Sequence, residues 1–206
     1  MDMDYFNQEA TGWDTPLRSA RATCIAEKIS AHINPQTDKK ALDFGCGTGL
    51  LSFALADKLP QISVTDPSSG MIQIVRQKIA GSGMNHISIL PYAELDEDCY
   101  FGRFNLIYSS MVFHHLANVD ADLFRLRHLL IKGGHILIVD LDPVSPAFHE
   151  SDPNFQGHNG FPRDEFRKIL KRGGFTEITF EDCYSSIKEL PEEKIPYSLF
   201  LACAQK

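Results

Sequence analysis

Apolar positions recur with two different periods along the chain. From residue 41 onward, short apolar or β-branched runs at 41–44, 62–66, 87–90, 104–109 and 135–141 alternate with longer segments of helical spacing. The runs predict strands. The segments 50–59, 71–79 and 121–130 predict helices, which stop at Pro60, Gly81 and Gly133-Gly134. A run such as Ile136-Leu137-Ile138-Val139 is continuously apolar, as suits a strand covered on both faces. Strands alternating with helices predict an α/β fold built on a parallel, doubly wound sheet.

Before the first strand, Thr15 and Pro16 read as a helix start. Ala22, Ile25, Ile29 and Ile33 then mark one face until Asn34-Pro35 ends it. After the fifth strand, the stretch 142–160 holds three prolines, His149 and His158 and shows no helical period. A loop of that length is characteristically functional or mobile. A helix over 164–171, the Gly173-Gly174 stop, and strands over 176–182 and 197–204 finish the chain. No internal repeat or linker interrupts it, so one domain over 1–206 is expected.

Composition narrows the class. At 206 residues and 43% hydrophobic content, the chain can bury a core without disulfide or metal staples. Its 20 basic and 27 acidic residues leave −7, the wrong sign for a protein that binds by neutralising phosphates, so no nucleic-acid partner is expected. Five widely spaced cysteines, an odd number with no C-x-x-C pair, fit a reducing compartment. The start Met1-Asp2-Met3-Asp4 is acidic where a secretory signal would be basic, and no apolar run approaches the ~20 residues of a membrane span. A cytoplasmic protein with no membrane partner is expected; its oligomeric state is not legible.

The segment Ala41-Leu42-Asp43-Phe44-Gly45-Cys46-Gly47-Thr48-Gly49-Leu50-Leu51 reads as strand, glycine turn and helix start. Glycines let a ligand approach the backbone. A dinucleotide fingerprint spaces them G-x-G-x-x-G, but here the order is G-x-G-x-G, and Leu50 stands at the third-glycine place. A phosphate-binding Gly-Lys-Ser/Thr is also missing. Asp43 beside the turn would repel a pyrophosphate, while it would attract an ammonium group or organise the loop amides. Asp66 closes the second strand 21 positions after Gly45, where a carboxylate can accept from a ribose diol or simply cap the next helix. A nucleoside carrying an amine and no pyrophosphate, such as S-adenosylmethionine, has the matching parts.

These residues resemble a class I S-adenosylmethionine-dependent methyltransferase of the small-molecule, type 11/12-like group. The resemblance covers nearly the whole chain in order. Leu42 to Gly49 is similar to the first motif of that family and Asp66 to its ribose acid. Phe104 to Ser110 followed by Phe113-His114-His115-Leu116 is similar to its fourth-strand motif, and Leu130 to Gly134 followed by Ile136-Leu137-Ile138 to its turn into strand five. The resemblance implies a Rossmann-like seven-stranded sheet of order 3-2-1-4-5-7-6 with strand 7 antiparallel. It implies S-adenosylmethionine as cofactor, its methionyl end held by Asp43 and the Gly45, Cys46, Gly47 and Gly49 backbone, with Ser109 nearby. Asp66 and Pro67 would meet the ribose, Met71 would cover the adenine, and Ala93 and Glu94 would meet its edge. Tyr92 stands where the family often has an acid, so the adenine amino group would go to Glu94 or to backbone groups.

The implied reaction is in-line methyl transfer to an acceptor, expected to be a small molecule. His114 and His115, just past the fourth strand, are candidate general bases; the other reading is that they pack or cap the turn. Residues 1–35 read as an N-terminal lid and helix, with Tyr5, Phe6 and Trp13 either over the ligand or docked on the core. Residues 143–161 read as an acceptor-side loop, with Phe148, Phe155, His158, Asn159 and Phe161 as candidate lining. Asp140, Asp142, His149 and His158 lack any metal-ligand spacing, so no metal is expected. A non-catalytic adenosylmethionine-binding module would share every binding residue. An NAD-dependent oxidoreductase would want the third glycine, and Leu50 stands in its place.

Overall fold

Successive side chains along a strand point to opposite faces of the sheet, and because these strands are apolar on both faces they feed two opposite cores. A computed structural model describes residues 3–152, 154–191 and 193–206; Met1 and Asp2 of the acidic start lie outside the described residues. Its strands are β1 (Ala41–Phe44), β2 (Ile62–Thr65), β3 (Ile87–Ile89), β4 (Phe104–Ser110), β5 (Leu130–Leu141), β6 (Thr176–Glu189) and β7 (Lys194–Gln205). They form one sheet in the order β3-β2-β1-β4-β5-β7-β6, parallel from β3 through β5 and antiparallel on both sides of β7. This is the order and the antiparallel strand that the resemblance implies.

The helices are α1 (Met3–Glu9), α2 (Pro16–Ser30), α3 (Leu50–Ala54), α4 (Ser69–Ser82), α5 (Val119–Leu129) and α6 (Arg163–Arg172). On β5, Ile136 and Ile138 join α5 and α6 residues such as Leu123, Leu126 and Phe166. Their neighbours Leu137 and Val139 join Ile25 and Ile29 of α2, Leu51 of α3 and Val75 of α4 on the other face. All four β5 side chains are fully buried, each worth about 1.5–3 kcal/mol of apolar transfer.

Caps fix the helix starts. Thr15 accepts from the Arg18 amide with Pro16 in the first turn, Ser68 accepts from Met71 at α4, and Asn118 accepts from Ala121 at α5. Among the described residues no helix is long and apolar enough to cross a membrane.

Several boundaries differ from the periodicity. The helix expected over 50–59 stops at Ala54, yet Leu55 and Leu59 stay buried: the Leu55 amide still donates to the Leu51 carbonyl, and a turn closed by the Lys58 amide on the Leu55 carbonyl carries the apolar spacing on. The fifth strand begins at Leu130, and Gly133 (φ +77°) lets it run past the expected glycine stop. The last two strands extend well beyond 182 and before 197, because cross-strand pairing from Tyr184↔Leu199 to Glu189↔Lys194 supplies the order that a mixed polar sequence does not signal. Residues 3–9, read only as a lid segment, form a helix with no buried residue of its own.

Candidate active site

The carboxyl ends of β1, β2 and β4 meet where the strand order reverses, which is where open α/β sheets leave a crevice. Gly45, Gly47 and Gly49 all take left-handed backbone (φ +73°, +54° and +82°). A Cβ at Gly45 would overlap the Val112 side chain, so the turn passes against the β4 loop with no room for a side chain. The loop is tied to β2: the Gly45 and Cys46 amides donate to the Thr65 carbonyl, and the Gly47 amide donates to Asp66 Oδ2 at 2.8 Å.

A cleft open to solvent lies over this turn, lined by Gly45, Cys46, Gly47, Asp66, Met71 and His115 among the expected site residues; we call it the first cavity. Its remaining walls come from Phe6, Trp13, α2, the start of α3 and the loop 110–112. Asp66 Oδ1 also accepts from the Ser68 amide at 2.8 Å, so this carboxylate fastens both flanking turns while each oxygen keeps acceptor capacity. Burial raises its pKa against those two hydrogen bonds.

The other expected residues sit apart from the cavity wall. Asp43 is buried behind the turn; Ser52 Oγ donates to it at 2.6 Å and lies 2.7 Å from Tyr108 Oη. Burial pushes the Asp43 carboxyl up to about 7, opposed by the Ser52 hydrogen bond and reinforced by the charge of Asp66. Ser109 is buried and donates to the Phe44 carbonyl, while Gly49 packs against Phe53 and Val75. Pro67, Ala93 and Glu94 line neither this cavity nor the one described next; Glu94 accepts from Tyr100 Oη at 3.4 Å.

A second, likewise open cavity adjoins the first and shares Phe6, Trp13, Arg18, Arg21, Met111 and His115 with it. His114, Phe148, His149, Asp152, Lys188 and Tyr197 belong to the second alone. Pairing of Ser110 with Val139 brings the end of β5 beside the β4 loop, and there Asp140 meets His114. His114 Nδ1 lies 2.6 Å from Asp140 Oδ1, both side chains fully enclosed. The Phe113, His114 and Leu141 amides also donate to Asp140, which locks its orientation. Nδ1 is therefore the nitrogen that donates to the carboxylate, and Nε2 is the ring nitrogen left without Asp140.

The neighbouring imidazoles differ. Burial, with His114 and His149 beside it, lowers His115 to about 2, and burial with His114 and Lys188 nearby lowers His149 to about 4. Both are neutral at pH 7, and His149 stacks flat on Phe155 at 3.7 Å.

The long loop contributes Phe148, His149, Ser151 and Asp152 to the second cavity, but Phe155, His158, Asn159 and Phe161 do not line it. His158 instead donates its amide to the His114 carbonyl, and Phe161 packs 4.9 Å from Phe166 in the core. Asp142 pairs with Arg163 rather than with a histidine, and no group of three metal-ligating side chains comes together among the described residues. Arg18, Arg21 and Lys188 were not singled out from the sequence. For the two arginines a signal existed: stepping back four residues from Ala22 and Ile25 puts them on the inward face of α2.

The N-terminal segment closes the site from above. Asn7 Oδ1 accepts from Ser68 Oγ at 2.8 Å and the Gly70 amide at 3.0 Å, at the start of α4. Asp14 pairs with Lys78 and accepts from Thr48 Oγ in the glycine turn. Trp13 and Phe6 lie edge to face with centroids 5.7 Å apart, and Phe6 meets the His115 ring at 5.2 Å.

With this geometry in place, comparison with known proteins assigns the family. A family model described as a methyltransferase domain matches residues 17–179, and the chain belongs to that family. Squalestatin tetraketide synthase from a Phoma species is 26% identical over a gapped alignment of 222 positions that covers 95% of this chain and only 8% of the synthase. Malonyl-[acyl-carrier protein] O-methyltransferase from a Paenibacillus species is 24% identical over 89% of this chain and 76% of that enzyme. Among solved structures, a SAM-dependent methyltransferase from Aquifex aeolicus superposes with a TM-score of 0.71 at 16% identity, covering 97% of each chain.

Proposed function

We propose that this chain binds S-adenosylmethionine in the first cavity and methylates a small molecule held in the second. The observation that carries the reading is the shared wall: the two cavities meet at Met111, His115, Phe6 and Trp13. The residues present fit the cofactor. Gly47 leaves open space where a Cβ would stand, Asp66 offers acceptors to a diol, and Met71 and Ile25 supply apolar wall. Arg21 lies on the same face of α2 as Ala22 and Ile25, which line the first cavity alone, and we assign it to the carboxylate of the methionyl end.

When bound, the cofactor supplies a methyl group already activated on a sulfonium. The protein then has to align the acceptor, exclude water and receive a proton. Alignment falls to the aromatic walls of the second cavity and exclusion of water to Phe6 and Trp13. His114 is the group suited to take the proton, at Nε2, because the Asp140 carboxylate balances the charge that the imidazole then gains. His115, held neutral by burial, shapes the junction and is too weak a base for this role.

Trp13 is the one tryptophan in the chain and lines both cavities, so its fluorescence should change when S-adenosylhomocysteine is titrated in. In calorimetry Asp66→Ala should weaken that binding by about 1–3 kcal/mol, the worth of charge-assisted hydrogen bonds. Absence of heat and of any fluorescence change with wild-type protein would overturn the proposal.

A further inference from the structure

The second cavity is positively charged in a chain whose net charge is −7. Among the described residues, Arg18, Arg21 and Lys188 line it against a single carboxylate, Asp152, while His115 and His149 are neutral at pH 7. Among the described residues none of the three cations forms an ion pair: Asp14 is taken by Lys78, and Asp152 Oδ1 accepts from the Asn154 amide. Glu9, Asp14 and Glu150 act on them only at longer range.

Half-buried cations placed near one another repel. Burial and Arg21 lower the pKa of Arg18, and burial and Arg18 lower that of Lys188. Such an arrangement costs stability in the free protein and is relieved by an anion.

Position along α2 separates the two arginines. Both line both cavities; Thr15 and Leu17, before Arg18, line only the second, and Ala22 and Ile25, after Arg21, only the first. Lys188, on β6, lines the second cavity alone, opposite in sequence and element. Its ammonium donates to the Phe148 carbonyl and lies 3.4 Å from Ser151 Oγ, which fixes it while leaving a third donor hydrogen. The guanidinium of Arg18 is likewise fixed, stacked 3.9 Å from the Trp13 ring centre with one nitrogen on the Trp13 carbonyl.

We infer that the acceptor is an apolar, flat molecule bearing a carboxylate or phosphate, and that Arg18 and Lys188 grip this anionic group while the aromatic walls hold its body. The inference rests on the two-cavity reading above and adds the acceptor's charge to it. An anion anchored between α2 and β6 would be oriented before any chemistry, leaving its nucleophile free to turn toward His114.

The test uses the full chain saturated with S-adenosylhomocysteine, whose own binding is measured first. Matched probes are then titrated by calorimetry: 4-hydroxybenzoate against 4-hydroxybenzamide, indole-3-acetate against indole-3-acetamide, and phenyl phosphate against phenol. At least one anion should bind about tenfold more tightly than its neutral partner, the scale of one lost charge-assisted contact. Lys188→Met and Arg18→Met should each remove that preference. Lys188→Arg should keep most of it, and Lys188→Met should leave S-adenosylhomocysteine affinity unchanged. Equal binding within every pair, binding of no probe, or a preference untouched by Lys188→Met overturns the inference. If Arg18→Met weakens S-adenosylhomocysteine instead of the anionic probe, Arg18 belongs to the cofactor and the inference also falls. Failure of S-adenosylhomocysteine to bind wild-type protein is a separate result, and it counts against the methyltransferase reading itself.

Discussion

Gly45 shows how a single position constrains the site. Its φ of +73° is strained for any L side chain, and the Val112 methyls already occupy the space a Cβ would need. Gly45→Ala should therefore destabilise the protein by about 1–3 kcal/mol in chemical denaturation. Adding Val112→Ala should recover the part due to overlap and leave the part due to the backbone angle. An unchanged denaturation midpoint in the single variant would contradict this account. The glycine was legible as a turn residue from its spacing alone. Its partner was not, because Val112 reaches it only through the pairing of β4 with β1. The same holds for His114 and Asp140: each was noticed, but the 26 positions between them in the chain close only when β4 and β5 align.

At the scale of an element, the N-terminal segment is held by its polar anchors. Helix α1 buries no residue, so Asn7 at the start of α4 and Asp14 at the glycine turn fasten a segment that lacks a core of its own. Asn7→Ala removes the hydrogen bonds to Ser68 and Gly70 while touching no apolar contact. Release of S-adenosylhomocysteine, followed by stopped-flow Trp13 fluorescence, should accelerate about fivefold, with little change in unfolding free energy. An unaltered release rate would mean that the segment does not gate the cavity. Period alone placed β1, β2, β4 and the core of β5, since each is a run buried on both faces. It missed the outer halves of β6 and β7, whose alternating exposed and half-buried residues become strand only because each supplies the hydrogen bonds of the other.

Across the whole molecule, the buried histidines make stability depend on pH. His115 is lowered to about 2 and His149 to about 4 from 6.5, so between those values and 6.5 the unfolded chain binds more protons than the folded one. Their contribution is complete above 6.5 and is lost as the pH falls. At pH 5, His115 alone should cost about 2 kcal/mol relative to pH 7.5. Asp43, raised to about 7, works in the opposite sense: the folded state holds its proton more tightly from 3.8 to about 7, and stability falls as the pH rises through that window. Thermal denaturation of wild type and His115→Gln should separate them, the variant losing less stability between pH 7.5 and 5. A variant with the same acid dependence as wild type would remove His115 from this role.

The sequence by itself determined the alternation of strand and helix, the Thr15 cap, the glycine turn and the acid that ends β2. All of these are set by neighbours within a few residues, through apolar period, backbone freedom and local hydrogen bonds. Only the tertiary structure decided that Asp43 lies behind the turn, that His114 rather than His115 meets a buried carboxylate, and that Arg18 and Lys188 share one cavity. Those relations join residues distant in the chain, so they come into being when sheet pairing and helix packing bring separate elements within a few ångströms of one another.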